Sequence, residues 1–141
     1  MKKYLILLVL ASIFSACSND DNRMRNPYLP DYNFSANINM ELPKYTDLLY
    51  TGNAVYVDQL GVGINDVIIL NTGSGYAAWE ASCPNQELSS CSRLDKEGIM
   101  AICPCDEAEY SLFTGQAEGK RYPLKSYRVE VINQTMIRVY N

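Results

Sequence analysis

Four cysteines, Cys83, Cys91, Cys103 and Cys105, fall within one short stretch, and two of them are separated by a single proline. No other feature limits the fold so tightly. Outside the cytoplasm neighbouring thiols tend to oxidise, so an even set of four implies two disulfides, with three connectivities open. Zinc is the rival use of four cysteines. A four-cysteine zinc site usually shows paired Cys-x2-Cys knuckles, and Cys103-Pro104-Cys105 is one residue too short for that, so no metal site is expected.

The 141 residues suit one domain of ordinary size and contain no histidine. That excludes Ser-His and Cys-His nucleophile pairs, a His general base, His-ligated zinc and haem on a proximal His. No catalytic residue is assigned, and the reading leans away from an enzyme. At 48% hydrophobic and 20% charged residues the composition is that of a folded globular chain. A net charge of -4 without any long basic run argues against a nucleic-acid partner.

Residues 1–16 read as an address. Lys2 and Lys3 precede an apolar run from Tyr4 to Phe14, followed by Ser15 and Ala16, the pattern of a secretory signal peptide. The run is too short to span a bilayer, which takes about 20 apolar residues. Phe14-Ser15-Ala16-Cys17 resembles the lipobox of bacterial lipoproteins, which implies a lipid on Cys17, a membrane partner and an outer-membrane or envelope location, periplasmic or surface-exposed. The plain alternative is a secretory signal with an incidental cysteine. Ser18-Asn19-Asp20-Asp21 resembles the acidic leader of surface lipoproteins of the Bacteroidetes. Without residues 1–16 the charges are 10 Lys+Arg against 16 Asp+Glu, a net -6. Residues 17–35 read as a tether that turns into an arm, with Tyr28, Tyr32 and Phe34 available to dock, and residues 36–141 as the domain.

Within the domain, short β-type runs alternate with Gly, Asn and Asp. Val67 to Leu70 reads as a buried strand, Asn71 to Gly75 as a turn, Tyr76 to Ser82 and Gly98 to Ile102 as strands, and Tyr127 to Tyr140 as a hairpin turning at Asn133-Gln134. No segment shows convincing helical periodicity. The expected fold is all-β, a small antiparallel sandwich or barrel. The many tyrosines read as strand filling.

Cys83-Pro84-Asn85, then Cys103-Pro104-Cys105-Asp106, resembles the two cluster-binding loops of Rieske proteins. In that family Cys-x-His and Cys-x2-His hold a 2Fe-2S cluster, the two Cys on one iron and the two His on the other. Gly75 to Trp79 is similar to the strand entering the first loop, Tyr110 to Gly115 to the family's aromatic strand and Thr-Gly turn, and Pro123-Leu124 with Tyr127, Val129 and Val131 to its closing hairpin. The likeness covers roughly residues 40 to 140 and implies a Rieske-like fold.

Both His positions are substituted, by Asn85 and Asp106. The iron-sulfur ligand role carries over only to Cys83 and Cys103; an Asn amide is a poor iron ligand and Asp a hard oxygen donor. Glu107 and Ala108 replace the Gly and Ser that follow the second His. Glu87, Asp106, Glu107 and Glu109 surround a site where a cluster would already be negative. The resemblance therefore implies a degenerate site without its cofactor. It further implies that Cys83 and Cys103, which converge in cluster-bearing relatives, lie close enough to bridge, leaving Cys91 with Cys105. The pairs Cys83 with Cys105 and Cys91 with Cys103 come next. Three functions follow: a disulfide-clamped binding or structural module; if active, an iron-sulfur (2Fe-2S) electron carrier or oxidoreductase component drawing further ligands from Cys91, Cys105 or Asp106; and thiol-disulfide exchange at Cys103-Pro104-Cys105. The acidic neighbours, which raise a thiol's pKa, disfavour the last.

Overall fold

The computed structural model describes residues 25–31 and 33–141. The leader, Cys17 and Tyr32 lie outside the described residues. The described residues form nine strands: β1 (Ser35–Asn39), β2 (Ala54–Val57), β3 (Val67–Asn71), β4 (Tyr76–Glu80), β5 (Asp95–Glu97), β6 (Met100–Ile102), β7 (Glu109–Ser111), β8 (Ser126–Asn133) and β9 (Met136–Tyr140). The only helical element among the described residues is a 3-10 turn at Thr46–Leu49. The strands build a six-stranded sheet in the order β1-β9-β8-β4-β3-β2 and a three-stranded sheet β5-β6-β7, with every strand pairing antiparallel. The expected small all-β antiparallel fold is the one the chain adopts.

β3 explains how the sheets share their cores. Val67 and Ile69 enter one cluster with Ile38, Val57, Ile137 and Val139, whereas Ile68 and Leu70 enter a second with Leu94, Ala101, Tyr110 and Leu112. Because both faces are covered, the strand reads as an unbroken apolar run rather than an alternating one. Each such side chain, fully buried, contributes about 1.5–3 kcal/mol. The second cluster packs the six-stranded sheet against the three-stranded one, and Cys83 and Cys103 are members of it.

Two boundaries differ from the sequence reading. The strand expected from Gly98 begins at Met100, because Gly98, at φ +58°, and Ile99 form the turn of a β5-β6 hairpin. The strand expected to reach Ser82 stops at Glu80, which turns inward. Its carboxylate is fully buried and accepts hydrogen bonds from the Ile64 N–H (2.6 Å), the Asn65 N–H (2.9 Å), the Ser82 hydroxyl (2.7 Å) and the Tyr127 hydroxyl (2.7 Å). A buried carboxylate is tolerable only when satisfied in this way. The turn after β3 is set by Asn71, whose side-chain oxygen accepts from the Gly73 N–H at 2.8 Å.

Candidate functional site

The first cysteine loop leaves β4 and returns on itself. Cys83 N–H donates to the Ser92 carbonyl (2.7 Å) and Leu94 N–H to the Ala81 carbonyl (2.8 Å), so residues 81–94 form a wide hairpin whose base is part of the core. Buried Ser92 braces its tip, accepting from the Ser89 N–H at 2.8 Å. The second loop joins β6 to β7. It is closed by Cys103 N–H to the Ala108 carbonyl (2.9 Å) and Glu107 N–H to the Cys103 carbonyl (2.8 Å). That tight return puts Glu107 at φ +56°, in the left-handed region that favours glycine.

Two disulfides join the loops. Cys83 is bonded to Cys103 with Cα atoms 5.6 Å apart, and Cys91 to Cys105 with Cα atoms 5.3 Å apart. The first pair is buried; Cys105 is half-buried and Cys91 exposed. The sulfurs of Cys83, Cys103 and Cys105 all lie within 4.8 Å of one another.

Asn85 and Asp106 are both engaged with other parts of the chain. The Asn85 amide nitrogen donates to the Tyr110 hydroxyl (2.9 Å) and the Tyr122 carbonyl (2.8 Å), while its oxygen accepts from the Tyr122 N–H (2.9 Å). Three of the four hydrogen bonds a carboxamide can make are filled. Burial pushes the Tyr110 phenol above its ordinary pKa, and the bond from Asn85 offsets part of that rise. Asp106 accepts from the Lys120 ammonium at 2.6 Å and from the Ala108 N–H at 3.2 Å. The bond to Asp106 raises the Lys120 pKa. Glu87, Glu107 and Glu109 are exposed.

Behind the loops, Trp79 donates its indole N–H to the Leu112 carbonyl at 2.7 Å. Its ring lies against Gly115 so closely that a Cβ there would stand 2.7 Å from ring carbon. With φ at +72° as well, that turn position requires glycine.

The arm docks on the same end of the molecule. Asn26 donates to the Pro84 carbonyl at 2.7 Å, Tyr28 meets the Tyr122 ring edge-on at 6.1 Å, and Leu29 is buried. Lys125 donates to the Pro30 carbonyl at 2.9 Å and pairs with Asp31. Phe34 packs edge-on against Tyr127. Sequence reasoning did not find Tyr122, Lys120 or Asn26. Their partners are backbone groups or residues far along the chain, which leave no local pattern.

No family model and no curated protein matches the chain. Among solved structures it is similar to a protein assigned as the small subunit of an NADH-dependent nitrite reductase from Mycobacterium tuberculosis, at 20% identity over 79% of this chain and 97% of that one, TM-score 0.47. It is also similar to a chain in the complex of reduced oxygenase and oxidized ferredoxin in carbazole 1,9a-dioxygenase, at 16% identity over 76% and 91%, TM-score 0.45. The ferredoxin of carbazole 1,9a-dioxygenase from Nocardioides aromaticivorans gives 23% identity over 66% and 88%, TM-score 0.43.

Proposed function

We propose that the chain is an envelope module whose two loops are clamped by disulfides where a Rieske domain would carry its cluster, and that it acts by binding or display. The observation that carries this reading is the engagement of the two substituted His positions. Asn85 spends its amide on Tyr110 and Tyr122, and Asp106 spends its carboxylate on Lys120 and Ala108. Cys83 and Cys103, the remaining thiolate donors of the motif, are bonded to each other. This donor set does not fit a Rieske cluster, which needs two free thiolates and two imidazoles. Closing loops of 20 and 14 residues, each bridge contributes on the order of 3 kcal/mol and can hold the loops together.

The same reading has Cys17 carrying the lipid, so that the membrane is one partner and the outer membrane or envelope the location, with no nucleic acid involved. It draws on the lipobox-like residues at 14–17 and the acidic stretch that follows. Mass analysis of the N-terminal peptide tests it: the reading expects a diacylated or triacylated Cys17 and release of a Cys17→Ser protein from the membrane fraction. An unmodified Cys17 on soluble protein would remove this part.

A second reading is favoured by the three sulfurs within 4.8 Å of one another. Reduced, Cys83, Cys103 and Cys105, with Cys91 as a fourth donor, could ligate a 2Fe-2S cluster, since all-cysteine ligation is ordinary for such clusters. Visible absorption by protein purified without oxygen would support this electron-carrier reading over the first.

A further inference from the structure

The two disulfides differ in access and yet are close enough to exchange. We infer that the exposed Cys91–Cys105 bridge is the entry point of a thiol relay, in which reduction at Cys91 frees Cys105 to attack the buried Cys83–Cys103 bridge and move it. The inference rests on the reading in which both bridges are formed in the working protein.

Access selects the first sulfur. Cys91 is exposed and Cys105 half-buried, whereas Cys83 and Cys103 are 1% and 0% exposed. A dithiol from solvent therefore meets Cys91 first. Its thiolate attacks the Cys91 sulfur, a mixed disulfide forms, and the bond to Cys105 breaks with the electron pair leaving on Cys105. The second thiol of the reagent then displaces Cys91 as a thiolate and closes the reagent's own disulfide. The Ser89 hydroxyl lies 3.3 Å from the Cys91 sulfur and 3.8 Å from the Cys105 sulfur, so it can donate to either departing thiolate.

Position selects the second step. The freed Cys105 sulfur is already within 4.8 Å of both buried sulfurs. Attack on Cys103 would close a small ring through Pro104 and meets poor disulfide geometry. Attack on Cys83 forms a Cys83–Cys105 bond and expels Cys103 as a thiolate, which takes a proton from solvent. The dithiol has lost two electrons, and the protein has gone from two disulfides to one disulfide and two thiols, at Cys91 and Cys103. The loops stay tied while the tie moves from one cysteine of Cys-Pro-Cys to the other. Exchange proceeds through thiolates, so the relay runs faster in mild alkali.

The test is limited reduction of the full protein with dithiothreitol at mildly alkaline pH, followed by acid quench, alkylation in denaturant and peptide mapping. Trp79 fluorescence, the chain's single Trp, reports that the fold persists throughout. The relay predicts that the two-thiol species contains a Cys83–Cys105 peptide and label at Cys103 as well as Cys91. Label confined to Cys91 and Cys105, with Cys83–Cys103 intact, overturns it. A Cys91→Ser variant gives an independent readout: without any reductant, the relay predicts label at both Cys103 and Cys105, and label at Cys105 alone overturns it. Thiol and iron counts before reduction separate this failure from failure of the underlying reading, which would show as free thiols or bound iron in the untreated protein.

Discussion

Asn85 holds the backbone of Tyr122 at both ends of its carboxamide, accepting from the Tyr122 N–H at 2.9 Å and donating to the Tyr122 carbonyl at 2.8 Å. Asn85 thereby ties the first cysteine loop to a segment 37 residues away in the chain. The Tyr122 ring in turn receives Tyr28 of the arm, so one side chain connects loop, core and arm.

Asn85→Ala removes three hydrogen bonds and leaves the Tyr110 hydroxyl and both Tyr122 backbone groups short of a partner. The expected loss is about 2–3 kcal/mol, read from the urea midpoint at unchanged slope. A loss under about 0.5 kcal/mol would mean that water replaces the amide without cost.

Glu80→Ala removes the buried acceptor of two backbone N–H donors, from Ile64 and Asn65, and of the Ser82 and Tyr127 hydroxyls. It should destabilise by about 3 kcal/mol or more. Glu80→Gln fills the space but points an NH2 at donors, so it should fall between wild type and the alanine variant. Denaturant unfolding of the three proteins checks the order.

Glu107→Gly should stabilise. An L-residue at φ +56° carries a steric cost that glycine escapes, less the extra freedom of glycine in the unfolded chain, for a net gain of about 0.5–1 kcal/mol. Glu107→Ala keeps the cost and removes the charge, so it should not reproduce the gain in a side-by-side melt.

Stability should fall on the alkaline side. Lys120 is held above its ordinary 10.5 by the bond to Asp106, and burial holds Tyr56 and Tyr110 above their ordinary 10.0. All three bind protons more tightly in the folded state. Their contribution is complete below the unfolded values and is lost as pH rises through the raised folded ones. Urea titrations from roughly pH 8 to pH 11 should show that fall, and Asp106→Asn should make it shallower. Asp31 works in the opposite sense. The bond and charge of Lys125 hold its carboxyl below the ordinary 3.8, so its share is present above that value and is lost as pH falls through the lowered one. The Asp31 carboxylate is 63% exposed although Lys125 is only 12% exposed, so salt should weaken the pair from the Asp31 side.

The strands that were legible are those whose burial leaves a pattern. β3 is apolar on both faces, β9 alternates with Ile137 and Val139 buried, and β8 alternates in sequence but buries only Tyr127, with Val131 exposed, before a turn that Asn133 closes by accepting from the Thr135 N–H. β1 alternates only through Ala36 and Ile38 and is too short to stand out, and β5, with the sequence Asp95-Lys96-Glu97, has no apolar residue, so sheet pairing rather than composition makes it a strand. At the site, the motif singled out Cys83, Asn85, Cys103 and Asp106 as positions. It did not show what occupies Asn85 and Asp106, because Tyr122 and Lys120 reach them through the fold. Spacing alone left three cysteine connectivities open; the choice among them depends on how two loops meet in space, which the order of residues along the chain does not encode.

The central claim is that the loops are closed by disulfides and carry no cluster. Iron analysis and quantitative thiol alkylation on full-length protein, purified anaerobically without reductant, test it most directly. The account predicts no stoichiometric iron and no alkylation of Cys83, Cys91, Cys103 or Cys105 until a reductant is added. Two irons per chain, with these cysteines alkylated once the metal is stripped, would contradict it.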